Sequence, residues 1–147
     1  LLGKNSILEN LEELKGFFQE YPYIVASYLF GSYARGNPSE KSDLDIGVIV
    51  DFSAPEKRKL IGDMDYLSYR ISKFLKGKEV DIVILNEKKP VFLHKVLKEG
   101  KLIYETNPTL RIQFVWKAIQ EYCDFEPTIR YMNRFYPEGY KKRLKEI

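Results

Sequence analysis

Three short apolar runs constrain this chain more than anything else in it: YIVASYLF (23–30), LDIGVIV (44–50) and EVDIVIL (79–85). Each is rich in β-branched or aromatic residues and short enough to read as a buried strand. Pro22 and Gly31 bound the first. In the third, Val80, Ile82 and Ile84 share one face, with Asp81, Val83 and Leu85 on the other. Around these runs the apolar period switches to that of a helix. In SILENLEELKGFFQEYP, Ile7, Leu8, Leu11, Leu14 and Phe18 form one stripe, Ser6 and Glu9 make a capping box, and Pro22 ends the helix. A second helical pattern starts at Pro55 and runs to Gly77 through Leu60, Met64, Leu67, Ile71, Phe74 and Leu75. A third starts at Pro90 and closes at Gly100, and KLIYE after it reads as a short strand. From Thr109 the pattern is helical through Ile112, Val115, Ile119, Tyr122, Ile129, Met132 and Phe135, with breaks expected near Pro127 and Pro137. The expectation is an α/β (α+β) fold, a small mixed sheet packed by helices over residues 1–105. A helical C-terminal extension, 106–147, belongs to the same compact unit.

A length of 147 residues suits one domain with a real core. The net charge of +3 is too small to argue for nucleic-acid binding by electrostatics alone. No apolar stretch approaches the roughly 18 residues that span a bilayer. The opening LLGKNSILEN lacks the basic-then-apolar layout of a signal peptide. The chain begins at Leu1 rather than methionine, so some upstream sequence is expected to be missing. The single cysteine, Cys123, cannot form an internal disulfide, so a reducing cytoplasm is expected.

The chemistry lies between the first two strands, in FGSYARGNPSEKSDLDIGV (30–48). Asp43 and Asp45 are i and i+2 at the start of a strand, so both point to one face, with Cα atoms roughly 6.5 Å apart. Side chains so spaced can converge on a pair of ions about 3.5–4 Å apart. Carboxylates are hard oxygen ligands, which favours Mg²⁺ or Mn²⁺ over zinc, and one histidine and one cysteine leave little material for a zinc site. Asp81 interrupts an otherwise apolar strand, where a carboxylate needs a partner or a metal. If that strand lies beside 44–50, Asp81 joins the pair. Gly31 lets the backbone approach a ligand closely. If SYAR begins a helical turn, Ser32 and free N–H groups form an anion site, with Arg35 one turn on. Phosphates at one end and Mg²⁺ ligands at the other suit nucleotidyl transfer. No Walker G-x-x-x-x-G-K-[ST] and no G-x-G-x-x-G competes.

GSYARG…SDLD followed by VDIVIL resembles the minimal nucleotidyltransferases of the DNA polymerase β superfamily, marked by Gly-Ser-x10-Asp-x-Asp and a third aspartate on a later strand. The whole chain, including LHKVLKEGKLIYE and the YCDFEP region, resembles the MntA-like antitoxins. That resemblance implies transfer of AMP from ATP to a tyrosine of a partner HEPN-type ribonuclease toxin, silencing it. It implies that Gly31 and Ser32 hold the triphosphate, with Arg35 and Ser42 at the same nucleotide site. Asp43 and Asp45 would bind Mg²⁺, with two ions expected, and Asp81 would complete the metal site and help deprotonate the acceptor. The toxin's own Arg-x(4–6)-His signature is absent.

Plainer readings stand beside these. Asp43 and Asp45 could mark a solvated loop-to-strand junction, and Asp81 could pair with Lys78. Arg35 could bridge to the aspartates instead of phosphate. His94, between Leu93 and Val96, reads as packed or half-exposed. Tyr104, Phe114 and Trp116 read as core rather than a base-stacking platform. The tail KKRLKE reads as a solvated helix end. Two other functions remain open. One is transfer to a small-molecule hydroxyl, against which the chain offers no second acidic domain to bind a polycationic drug. The other is an antitoxin that acts by covering its partner, through the helices after residue 106. A polymerase is disfavoured, because nothing outside the core is large enough to grip a template. Association with itself or with a partner is left open.

Overall fold

The computed structural model describes residues 9–135, together with the side chains of 9–134. Among the described residues the first full element is helix α1 (Leu11–Gln19), which buries Leu14 and Phe18. Strand β1 (Ile24–Phe30) is followed at once by the short helix α2 (Gly31–Arg35). After a loop come β2 (Leu44–Val50), the long helix α3 (Lys57–Phe74) and β3 (Val80–Ile84). A 3-10 turn at Leu85–Glu87 leads to α4 (Pro90–Glu99), β4 (Lys101–Glu105) and α5 (Pro108–Phe135). The capping box at Ser6 and the apolar positions Ile7 and Leu8 lie outside the described residues, as do Pro137 and the KKRLKE tail.

The four strands form one mixed sheet in the order β3-β2-β1-β4. β1 runs antiparallel to both β2 and β4, while β2 and β3 are parallel, joined through α3. This matches the expected architecture. Period-2 alternation gives each face its own layer. Leu44, Ile46, Val48 and Val50 of β2 face α1 and α3, packing with Phe18, Leu67 and Ile71. Val80, Ile82 and Ile84 join them, as the sequence pattern requires. The opposite face carries Tyr28, Ile49 and Leu85 against Leu93 and Val96 of α4 and Ala118 of α5. A register shift between Ile24 and Ala26 places both Val25 and Ala26 in that second layer. Burying each of Leu60, Met64, Leu67 and Ile71 under α3 stabilises the sheet by about 1.5–3 kcal/mol.

β2 outlasts its partner β3. Asn86 makes up the difference: its side chain accepts from the Val50 N–H at 2.9 Å and donates to the Val50 carbonyl at 2.8 Å. At the same end of the sheet, Tyr23, whose carbonyl accepts from the Asp51 N–H at 3.0 Å, donates its hydroxyl to Asp63 at 2.9 Å, tying the approach to β1 onto α3. Burial and this carboxylate push the Tyr23 phenol upward.

Two expectations fail around α5. The helix runs on through Pro127 without the expected break. Pro127 and Cys123 are both exposed, so the Cys123 carbonyl, which loses its i+4 donor, can turn to water. The buried face is Ala118 with the partly buried Leu110 and Phe114. Trp116, expected in the core, is 62% exposed, with Ile112 and Ile119 also outward. Tyr104 is buried as expected, and Phe114 is partly buried against the second layer. His94 is half-buried and stacks on Tyr122, ring centroids 3.7 Å apart. Among the described residues no helix is long and apolar enough to cross a membrane.

Candidate active site

The candidate residues gather where β1 ends and β2 begins. Phe30 pairs with Asp45 across the antiparallel ladder, so Gly31 falls directly beside the Asp45 side chain. The contact is close: a Cβ on Gly31 would lie 2.2 Å from Asp45 Oδ2. Gly31 also adopts φ +72°, a left-handed conformation. Glycine is therefore required twice over, by the backbone and by the carboxylate packed on it.

β2 and β3 are paired so that Asp45 sits opposite Asp81. Parallel pairing in register puts both carboxylates on one face, the face covered by α4 and α5. Asp43 precedes the first residue of β2 rather than lying within it. It still shares a cavity of about 320 Å³ with Gly31, Ser32, Arg35 and Asp45. Asp43 and Asp81 are exposed and Asp45 half-buried. Burial, then repulsion from Asp81 and Asp43, push the Asp45 carboxyl up to about 6, against pulls from Arg35 and Lys95. The site is thus a group of repelling carboxylates, which a divalent cation would relieve. Among the described residues no three such side chains stand close enough together to clasp one ion as they are. The donor set nevertheless fits Mg²⁺ or Mn²⁺, being carboxylate oxygen throughout.

SYAR does form a helical turn, and Ser32 lines the cavity. Arg35 Nη1 lies 3.4 Å from Glu99 of α4, with the two side chains 41% and 36% exposed. Its partner is this glutamate rather than the aspartates. Asp81 makes no ion pair with a described lysine, and Lys78 instead lies over the Tyr33 ring at 5.1 Å. Ser42 is placed differently from Ser32. Its hydroxyl accepts from the Ser39 N–H at 2.8 Å, and it lines a neighbouring cleft instead.

Helix α4 supplies residues that the sequence reading passed over: Phe92, Lys95, Val96 and Glu99 line the cavity. The i, i+3, i+4, i+7 spacing puts them on one helix face. Lys95 was one lysine among many in the sequence, and only the packing of α4 on the sheet marks it out.

Residues 12–109 match the family model for polymerase beta, nucleotidyltransferase. A Methanocaldococcus jannaschii protein, provisionally named a protein adenylyltransferase, is 34% identical over 68% of this chain and 95% of its own length. The protein adenylyltransferase MntA of Aphanizomenon flos-aquae is 33% identical over 57% of this chain and 59% of its own. Among solved structures, a toxin–antitoxin complex with AMP-PNP matches at TM-score 0.62 and 24% identity, covering 89% of this chain and 95% of that one. A chain from a complex of a tri-AMPylated Shewanella oneidensis HEPN toxin with MNT antitoxin matches at TM-score 0.56 and 22% identity, over 88% of this chain and 91% of that one. The last two likenesses concern the fold. With the Gly-Ser turn set against paired aspartates on neighbouring strands, the chain belongs to the polymerase β nucleotidyltransferase family.

Proposed function

We propose that this chain transfers AMP from ATP to a tyrosine hydroxyl of a partner HEPN-type toxin in the cytoplasm, and so neutralises that toxin. The observation that carries the reading is the packing of Gly31 on Asp45, which sets the Gly31-Ser32 turn against the carboxylates in one cavity. The relatives named protein adenylyltransferases support the adenylyl donor, and the AMPylated HEPN toxin of the Shewanella complex supports the acceptor.

In this reading the Gly31-Ser32 backbone and the Ser32 hydroxyl bind the triphosphate, with Arg35 and Lys95 adding charge. Asp43 and Asp45, with Asp81 beside them, would hold one or two Mg²⁺ ions, which neutralise phosphate charge and acidify the acceptor hydroxyl when bound. Asp81 takes the acceptor's proton. The acceptor oxygen forms a bond to the α-phosphorus while the bond from that phosphorus to the bridging oxygen breaks. Pyrophosphate leaves with the electron pair. Ser42 acts by fixing the loop that carries Asp43. The helical extension, with its outward Ile112, Trp116 and Ile119, is the partner-facing side of the same compact unit.

The test is direct. The purified chain, Mg-ATP and the candidate toxin are mixed and intact masses taken. A gain of one or more AMP units on the toxin, lost with Asp43→Asn or chelator, is expected. An inhibited but unmodified toxin would replace the reading with one of neutralisation by binding.

A further inference from the structure

Asp43 is a shared wall between two cavities. On its β1 side lies the cavity of Gly31, Ser32, Arg35 and Lys95. On its β3 side lies a cleft of about 380 Å³, between the loop 40–43 and the turn that joins α3 to β3. In-line displacement places the attacking and leaving oxygens on opposite sides of the reacting phosphorus. A donor held on the β1 side therefore meets its acceptor from the β3 side, the side of the strand that carries Asp81, although Asp81 itself lines neither cavity. We propose that this cleft is the acceptor subsite, and that Lys41 and Lys76 there hold the phosphate of an AMP already attached to the acceptor. This rests on the adenylyl transfer proposed above.

Three lysines line the cleft, and they differ. Lys78 is engaged: its Nζ donates to the Glu40 carbonyl at 3.3 Å and lies over Tyr33. Lys41 and Lys76 make no ion pair with any described carboxylate, although Glu40 and Glu79 share the lining. Two ammonium groups left without a direct counterion suit an external anion, while the glutamates make the cleft hydrated and charged rather than apolar. Lys76 carries a second mark. At φ +58° it is the one non-glycine with positive φ among the described residues. A side chain there costs about 1–2 kcal/mol of backbone strain, which asparagine or glycine would lessen.

The chemistry explains what the lysines would recognise. After one transfer the acceptor is a tyrosine bearing AMP. In a second transfer a ribose hydroxyl of that AMP attacks the α-phosphorus of a new ATP and gives its proton to a carboxylate, while pyrophosphate leaves. The phosphodiester made in the first round then sits on the acceptor side. The lysines would hold it there by charge-assisted hydrogen bonds.

The experiment is a time course of intact toxin mass with Mg-ATP, using wild type, Lys41→Ala and Lys76→Asn. Asparagine tolerates the left-handed turn, so Lys76→Asn keeps the backbone, and a thermal midpoint confirms folding. The expected result is a first addition within about twofold of wild type and later additions slowed about tenfold or more, leaving mono-AMP toxin to accumulate, with KM for ATP unchanged. Equal slowing of every addition, or a raised KM for ATP, would overturn the assignment. Wild type that stops after one AMP would overturn it while leaving the transferase reading intact. Wild type that adds none would remove both.

Discussion

Replacing Gly31 by alanine separates the cost of a backbone conformation from the cost of moving a carboxylate. Gly31 and Gly77 both have positive φ, +72° and +90°. An added Cβ meets nothing within 4 Å at Gly77 but lies 2.2 Å from Asp45 Oδ2 at Gly31. Gly77→Ala therefore measures the left-handed cost alone, about 1–2 kcal/mol, or roughly 2–8 °C in Tm for a chain of this size. Gly31→Ala carries the same cost plus the overlap. The overlapping atom is the end of a side chain, and Asp45 can rotate away, so the added loss of stability is small, below about 1 kcal/mol. The functional loss is not small. A carboxylate displaced by about 1 Å or more from its working position costs on the order of 100-fold in rate. Urea melts of both variants, with AMP transfer to the toxin followed for Gly31→Ala, test this. Similar stabilities, with transfer by Gly31→Ala down about 100-fold, are expected. Transfer by Gly31→Ala within a few-fold of wild type would refute the claim that Gly31 is there to admit Asp45.

Asp45→Asn should abolish transfer, yet leave the metal-free protein as stable or more so at pH 7, because it removes one of three mutually repelling charges; thermal melts in chelator check this. The same shift predicts a pH dependence. The folded-state value, about 6, lies above the ordinary carboxylate value, so this group's stabilising contribution is full below about pH 4 and is lost as pH rises through 6. Metal-free wild type should therefore lose Tm relative to Asp45→Asn between pH 4.5 and 7, and Mg²⁺ affinity by calorimetry should weaken as pH falls through 6. Gly47→Ala would put a Cβ 2.8 Å from Leu85 Cδ2, which should lower stability by about 1–3 kcal/mol in urea melts. Tyr23→Phe breaks the bond to Asp63, away from the carboxylates, and should cost about 1 kcal/mol with transfer unchanged.

Much of this protein is written locally. Strand alternation placed Val80, Ile82 and Ile84 on one face and Asp81 on the other, and β3 obeys it. Gly-Ser after an apolar run, and Asp-x-Asp opening the next, marked the two sides of the site before any pairing was known. These signals are legible because strand and helix periods act over a few residues. The break expected at Pro127 failed because proline's local cost was met by the rest of a long helix. Trp116 was misplaced because both sides of α5 carry apolar residues, and only its seating through Leu110, Phe114 and Ala118 chooses the buried one.

Local signals supply the inventory: the strands, the turn and three carboxylates at fixed offsets along the chain. Tertiary structure alone decided which of them meet. The parallel register sets Asp45 opposite Asp81, and the antiparallel one sets Gly31 against Asp45. It also brought Lys95 of α4 into the cavity beside Gly31 and Asp45, and Lys76 of the α3–β3 turn into the cleft beyond Asp43. The two differ in range. Backbone preferences and side-chain periods are set by near neighbours, whereas register and helix seating minimise exposed apolar area over the whole sheet, a sum to which every strand contributes.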